Sequence, residues 1–188
     1  MPTYKIPIIA LKKENKLDLF ETSMPNITFN FDFLGHLMTM PKLVRNIAVA
    51  GSLQHGKTSF MDMFIHYTHN NPNIFKYLDN REDEQKRKIS LKSSPISLVN
   101  IEGKSFLFNF IDTPEHSNFF DEVQSTFRVA DGVIIVIDVL EGITLHTEKV
   151  IKECKKENLD LVVLLNKIDR FVLELKIPPN DVCFKLNS

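Results

Sequence analysis

Tryptophan is absent from this chain, and only two cysteines and six glycines occur among its 188 residues. Two cysteines exclude a disulfide framework, and Cys154 and Cys183 lie too far apart for metal-ligand spacing, so the reading is two free thiols in a reducing compartment. No apolar run reaches the length of a membrane span, and the opening Met1-Pro2-Thr3-Tyr4-Lys5-Ile6-Pro7 lacks the pattern of a secretory signal. A membrane partner is therefore not expected, and a nuclear or cytosolic setting is. Charge of one sign is lacking too: a net charge of -1 gives no global pull toward nucleic acid, although a local basic patch stays open. What is present is ordinary for a soluble domain with a real core, with 43% hydrophobic and 25% charged residues.

The chain has two textures. Residues 1–43 are interrupted by Pro2, Pro7, Pro25 and Pro41, which argues against a long helix. Phe29, Phe31, Phe33, Leu34 and Leu37 are too apolar for a free linker. The expectation is an extended N-terminal arm, 1–43, whose aromatic segment packs on the domain after it or on a partner. From Val44 to Ser188 strands and helices alternate. Leu43–Ala50 reads as a strand and Ser59–Ile65 as a helix. Ile96–Ile101 and Ser105–Ile111 read as a hairpin around Glu102-Gly103-Lys104. Asn118–Val129 carries Phe119, Phe120, Val123 and Phe127 at helical spacing, more consistent with core than with a ligand platform. Gly132–Asp138 and Leu161–Asn166 read as buried strands, with an amphipathic helix over Leu145–Glu157 between them. The implied fold class is α/β, a mostly parallel sheet with helices on both faces. The polar span Asn70–Lys92 shows no clear pattern and reads as a solvated loop.

With so few glycines, the pair Gly51 and Gly56 stands out. Gly51-Ser52-Leu53-Gln54-His55-Gly56-Lys57-Thr58 sits between a strand and a helix opening at Ser59, which is the required context of a phosphate-binding P-loop. Its backbone N–H groups point inward at phosphate oxygens, Lys57 adds a point charge, and the Thr58 hydroxyl suits Mg²⁺. Asp112-Thr113-Pro114 ends a strand, where a carboxylate can hold a water of the Mg²⁺ shell; alone it reads equally as a turn before proline. Asn166-Lys167-Ile168-Asp169 comes directly after another strand, at the end where α/β sheets bind ligands. There Asp169 can accept two N–H bonds from a guanine edge, for which adenine has no matching donors. Asn166 can brace the loop, and the Lys167 stem can cover the ring. Together the three elements specify guanine-nucleotide binding; an ATPase leaves Asn166 to Asp169 unexplained, and the glycine spacing is wrong for a dinucleotide fold. His116 can orient a hydrolytic water or be a plain exposed histidine. His36, His66, His69 and His146 show no ligand spacing.

The motifs resemble those of the translational-type GTPases of the elongation factor 2 class. Arg87-Lys88-Ile89-Ser90-Leu91-Lys92-Ser93-Ser94 is similar to that family's switch I, Asp112-Thr113-Pro114-Glu115-His116 to its switch II, and Asn166-Lys167-Ile168-Asp169-Arg170 to its base-recognition motif. The flanks Phe33-Leu34-Gly35-His36-Leu37-Met38, Leu43-Val44-Arg45-Asn46 and Leu173-Glu174-Leu175-Lys176-Ile177-Pro178-Pro179-Asn180-Asp181 resemble the spliceosomal branch, the GTPases of the U5 small nuclear ribonucleoprotein. The resemblance implies a nuclear switch in pre-mRNA splicing that binds GTP or GDP with Mg²⁺. It also implies contact with a scaffold protein and an RNA helicase of the U5 particle and, directly or indirectly, with U5 small nuclear RNA. Gly51 through Ser59 then bind the nucleotide, with Ser52 through Thr58 cradling the phosphates, and Thr58 and Ser90 ligate Mg²⁺ directly, with Asp112 doing so through water. His116 takes the catalytic position. A translation elongation factor is the alternative within the class; a non-catalytic guanine-nucleotide-binding scaffold is the alternative outside it.

Two departures matter. Glu115 stands where the family has a glycine whose N–H meets the γ-phosphate. Like charges at ~5 Å cost roughly 3 kcal/mol at an effective dielectric of 20, about 100-fold in binding. The expectation is a weak preference for GTP and slow hydrolysis unless the side chain turns to solvent. Second, Ser188 comes soon after the base motif, whereas the resemblance calls for a further strand, helix and base-closing loop. The expectation is a fragment or truncated product, with the strand 161–165 left as an exposed sheet edge and a fold of low stability.

Overall fold

The computed structural model describes residues 31–69, 78, 90–100, 105–176, 178 and 181. Helix α1 (Phe31–Met38) leads through a short 3-10 turn, Pro41–Leu43, into β1 (Val44–Gly51). Next come α2 (Lys57–His69), β2 (Ser94–Asn100), β3 (Phe106–Asp112), a 3-10 turn at Ser117–Phe119, and α3 (Phe120–Phe127). The chain continues through β4 (Gly132–Asp138), α4 (Leu145–Lys156), β5 (Asp160–Asn166) and the short α5 (Asp169–Leu173). The five strands form one sheet in the order β2-β3-β1-β4-β5. β1 pairs in parallel with β3 and β4, β4 with β5 likewise, and β2 runs antiparallel to β3. The expected hairpin is thus present as β2 and β3; its turn, 101–104, lies outside the described residues.

Period-two alternation divides the core into two layers. Ala48 and Ala50 of β1 and Val133, Ile135 and Ile137 of β4 face Val123 and Phe127 of α3 and Val150 and Cys154 of α4. Val49 and Val136, one residue out of phase, face Met61 of α2 and join Leu78 and Phe110 on the opposite side. Helices therefore cover both faces, as βαβ connections require. The aromatic stripe of α3 is core, as its spacing implies: Phe127 is buried and Phe120 packs against the same cluster. Parallel register brings the carboxyl ends of the strands to one edge: Val49 lies opposite Asp112, Gly51 opposite Val136, and Asp138 opposite Asn166.

Two expectations need correction. The described part of the N-terminal arm is helical, not extended. No proline falls between Pro25 and Pro41, and α1 uses that gap, with Asp32 in its first turn, His36 in its last and Leu37 buried. The arm's residues 1–30 and most of the span Asn70–Lys92 lie outside the described residues. β5 is not buried on both faces: Val162 is 61% exposed and Val163 50%. It pairs with β4 and, among the described residues, with no second strand, which is the exposed apolar edge anticipated for 161–165.

Candidate functional site

The loop between β1 and α2 is held open by its glycines. A Cβ on Gly51 would lie 2.7 Å from the Val136 carbonyl oxygen of the neighbouring strand. Gly56 has φ +90° and sits so near Asn166 that a Cβ would come within 2.4 Å of its Nδ2. Gln54 also adopts a positive φ of 61°. Such turns can present backbone N–H groups beside the N-terminus of α2; here the Gln54 N–H donates to Glu115 and the His55 N–H to the Ser52 carbonyl.

The side chains divide into those that face the concavity and those that hold it. Lys57 is fully buried, its Nζ 3.1 Å from Asp112 Oδ1 and 3.4 Å from Glu115 Oε1. Thr58 Oγ1 donates to Asp112 Oδ2 at 3.1 Å and lies 3.5 Å from Ser90 Oγ. Thr58, Ser90 and Asp112 thus converge as hard oxygen donors, few in number, which is the set that suits Mg²⁺ sharing its shell with water and phosphate. Burial pushes the Asp112 carboxyl above its ordinary range against the pull of Lys57 and Thr58, and the Glu115 carboxylate pushes the same way. Of the similarity to switch I, only Ser90 to Ser94 is visible; Arg87, Lys88 and Ile89 lie outside the described residues.

Ser52 and His55 hold the loop from behind. Ser52 Oγ shares a hydroxyl cluster with Thr144 and Thr147, which tie the loop to the start of α4. Thr144 is also the N-cap of that helix, accepting from Thr147 N–H at 3.2 Å. His55 is fully buried. Its Nδ1 lies 3.2 Å from the Asp138 N–H and 3.3 Å from the Val136 carbonyl, and its Nε2 lies 3.1 Å from Glu141 Oε2. Its imidazole faces the sheet, and its backbone N–H donates to the Ser52 carbonyl at 3.2 Å. Leu53 and Ser59 are exposed.

The base motif is wired to the same loop. Asn166 Nδ2 donates to the His55 carbonyl at 2.8 Å, and its Oδ1 accepts from the Lys167 N–H. Lys167, at φ 58°, stretches its Nζ to the Gln54 carbonyl at 2.6 Å and to Asp138 Oδ2 at 3.0 Å. Asp169 opens α5 and is exposed. His116 is half-buried, its Nδ1 accepting from the Asn118 N–H at 3.2 Å. Beside the loop lies a cavity of about 450 Å³ lined by Ser52, Leu53, Glu115, His116, Glu141 and His146, among others. Burial first, then Lys149, Lys57, His116 and His55, lowers the pKa of His146.

The structure therefore ties Gln54 and His55 of the loop Gly51 to Thr58 to Lys167 and Asn166, and Lys57 and Thr58 of the same loop to Asp112, with Ser90 beside Thr58, while Asp169 stands exposed at the start of α5. His116 sits on the adjoining cavity and contacts its own turn. Sequence reasoning missed Asp138, whose buried carboxylate takes both Lys167 and Arg170. Burial pushes its carboxyl up, but the Leu140 N–H and those two cations outweigh it and hold the pKa at about 2. The signal was available: an aspartate ending a buried strand, next in the sheet to the one that feeds the loop. Thr144 was legible as a helix cap before Leu145. Its bond to Ser52 was not, because 92 residues separate them.

Residues 42–185 match the family model of the elongation factor Tu GTP binding domain. The chain is 47% identical over 163 residues to the 110 kDa U5 small nuclear ribonucleoprotein component CLO of Arabidopsis thaliana, covering 82% of this chain and 16% of that protein. It is 37% identical over 187 residues to the pre-mRNA-splicing factor cwf10 of Schizosaccharomyces pombe, covering 96% of this chain and 19% of that one. The chain thus spans less than a fifth of the length of these relatives. Among solved structures, the bacterial selenocysteine-specific elongation factor EF-Sec superposes with a TM-score of 0.60 at 22% identity, over 76% of this chain and 22% of that one, a likeness of fold.

Proposed function

This chain belongs to the family of the elongation factor Tu GTP binding domain, and on that premise we propose that it is the guanine-nucleotide switch of a GTPase of the U5 small nuclear ribonucleoprotein, acting in pre-mRNA splicing in the nucleus. One observation carries the nucleotide reading. Asn166 and Lys167 bond the backbone of the very loop whose N–H groups and Lys57 form the phosphate cradle, so base motif and phosphate motif are one rigid unit. The names of the relatives supply the spliceosomal setting. In this reading residues 44–188 form the nucleotide-binding domain and residues 1–43 its N-terminal arm.

Gly51 to Ser59 surround the phosphates. Thr58 and Ser90 would hold Mg²⁺, with Asp112 acting through water, and the bound ion would neutralise phosphate charge. Asp169 accepts two N–H bonds from guanine, with Asn166 bracing and the Lys167 stem along the ring. His116 positions water for GTP hydrolysis. The partners are a scaffold protein and an RNA helicase of the U5 particle, with U5 small nuclear RNA nearby. The test is displacement of a fluorescent GDP in the presence of Mg²⁺. GTP and GDP displace it and ATP and ADP do not; Asp169→Ala erases that discrimination by removing both acceptors. Equal competition by adenine nucleotides overturns the reading. Recovery of U5 RNA, and not ribosomal RNA, with the tagged chain separates the splicing role from that of an elongation factor.

A further inference from the structure

Glu115 has neither turned to solvent nor merely come near the phosphate site. It is 8% exposed, and its carboxylate lies inside the cradle. Oε2 accepts the Gln54 backbone N–H at 3.2 Å, and Oε1 lies 3.4 Å from Lys57 Nζ. These are a loop amide and the loop cation, the two kinds of donor with which a P-loop grips the β- and γ-phosphates. One trigonal anion bridges both of them. We propose that Glu115 is an intramolecular surrogate for the terminal phosphate, and that it sets the nucleotide preference of this chain by competing for Gln54 N–H and Lys57. The proposal rests on the guanine-nucleotide reading above.

Charge and anchoring both support competition. Lys57 already faces two carboxyl groups, those of Asp112 and Glu115, so its one ammonium is shared between them before a phosphate adds to it. Asp112 also bonds Thr58, whereas Glu115 reaches the cradle alone from the loop beyond β3. The residue before that loop cannot move out with it. Thr113 donates both its N–H and its hydroxyl to the Val49 carbonyl, at 3.1 and 2.9 Å. Release of Glu115 is therefore a local movement of 114–116, and it carries His116 with it. The more phosphate a nucleotide places at Lys57, the more completely Glu115 must leave. A triphosphate meets the full competition, a diphosphate part of it, and a monophosphate, which does not reach Lys57, none.

The test compares the native full chain with Glu115→Gln, which keeps size and removes charge, and Glu115→Gly, which removes the side chain. Dissociation constants are measured with Mg²⁺ for a non-hydrolysable GTP analogue, GDP and GMP, with melting curves to show that each variant is folded. In both variants the GTP analogue binds ~10-fold to ~100-fold tighter than in the native chain. GDP improves less, and GMP is unchanged. An unchanged ratio of GTP-analogue to GDP affinity in both variants overturns the proposal while leaving the guanine reading intact. Equal loss of all three ligands in both variants also overturns it, because Glu115 is then a brace of the loop. Failure of the native chain and both variants to bind any of the three overturns the guanine reading, and this proposal with it.

Discussion

At the residue scale, the site depends on a few charges placed where water is scarce. Asp138 is the clearest case, since its buried carboxylate sits between Lys167 and Arg170 at the end of β4. Its pKa falls from 3.8 to about 2, so the folded state holds this proton more weakly than the unfolded chain. The stabilisation is complete above the unfolded value and is lost as pH falls through the folded one. Between about pH 4 and pH 2 Asp138→Asn should therefore melt with a weaker pH dependence than the native chain, as monitored by circular dichroism. At pH 7 it should be less stable, because two cations lose their shared partner. Parallel acid melting curves for the two proteins would refute this. The contrast between Asp138 and Glu115 also marks how far the site was legible. Gly51, Gly56, Lys57 and Asn166 can be read from motif spacing, because their chemistry is local to a strand–loop–helix. That Glu115 would matter can be read from its charge beside phosphate. That its carboxylate reaches Gln54 N–H cannot, since the rotamer depends on a partner 61 residues away. Asp138 escaped notice for the same reason: its partners arrive from the next strand's loop.

At the element scale, the strands of the sheet were readable because each is a short apolar run closed by polar residues, and the helices because of their 3.6-residue period. The short helices α1 and α5 escaped, and β5, read as a strand and anticipated as an edge, departs only from the reading that both its faces are buried. α1 lies within a proline-rich arm, and a two-turn helix leaves little periodic signal. β5 has the sequence of a central strand, Leu161-Val162-Val163-Leu164-Leu165, but the position of an edge. Apolar content reports what a strand is suited to be buried against, not whether a neighbour is there. An edge so apolar, with no second strand beside it among the described residues, is a template for pairing between copies. Light scattering of the purified chain should therefore rise with concentration, and Val163→Lys, at a half-exposed position, should suppress the rise while nucleotide affinity stays within about twofold. Scattering that is unchanged in the variant would place the association elsewhere.

At the scale of the whole molecule, the two core layers meet at β1 and β4, and the candidate site is built on the ends of those same strands. Ser52 reaches to α4, Lys57 to β3, and the His55 carbonyl to Asn166 at the end of β5. A ligand gripping the loop between them therefore bears on every layer, and its binding energy adds to folding by mass action. At a GDP concentration 100 times its dissociation constant the gain is about 2.7 kcal/mol. For a chain of 188 residues that corresponds to a rise in melting temperature of roughly 5–11 °C. Calorimetry with GDP and Mg²⁺ should show this rise, whereas ADP at the same concentration should leave the transition unmoved. The chain without nucleotide should melt low and broadly, because β5 leaves apolar surface in water that a second neighbour would cover. A sharp cooperative transition above the ordinary mesophile range, about 45–65 °C, with no response to GDP would contradict both statements. It would mean that the sheet is self-sufficient and that the loop binds no guanine nucleotide.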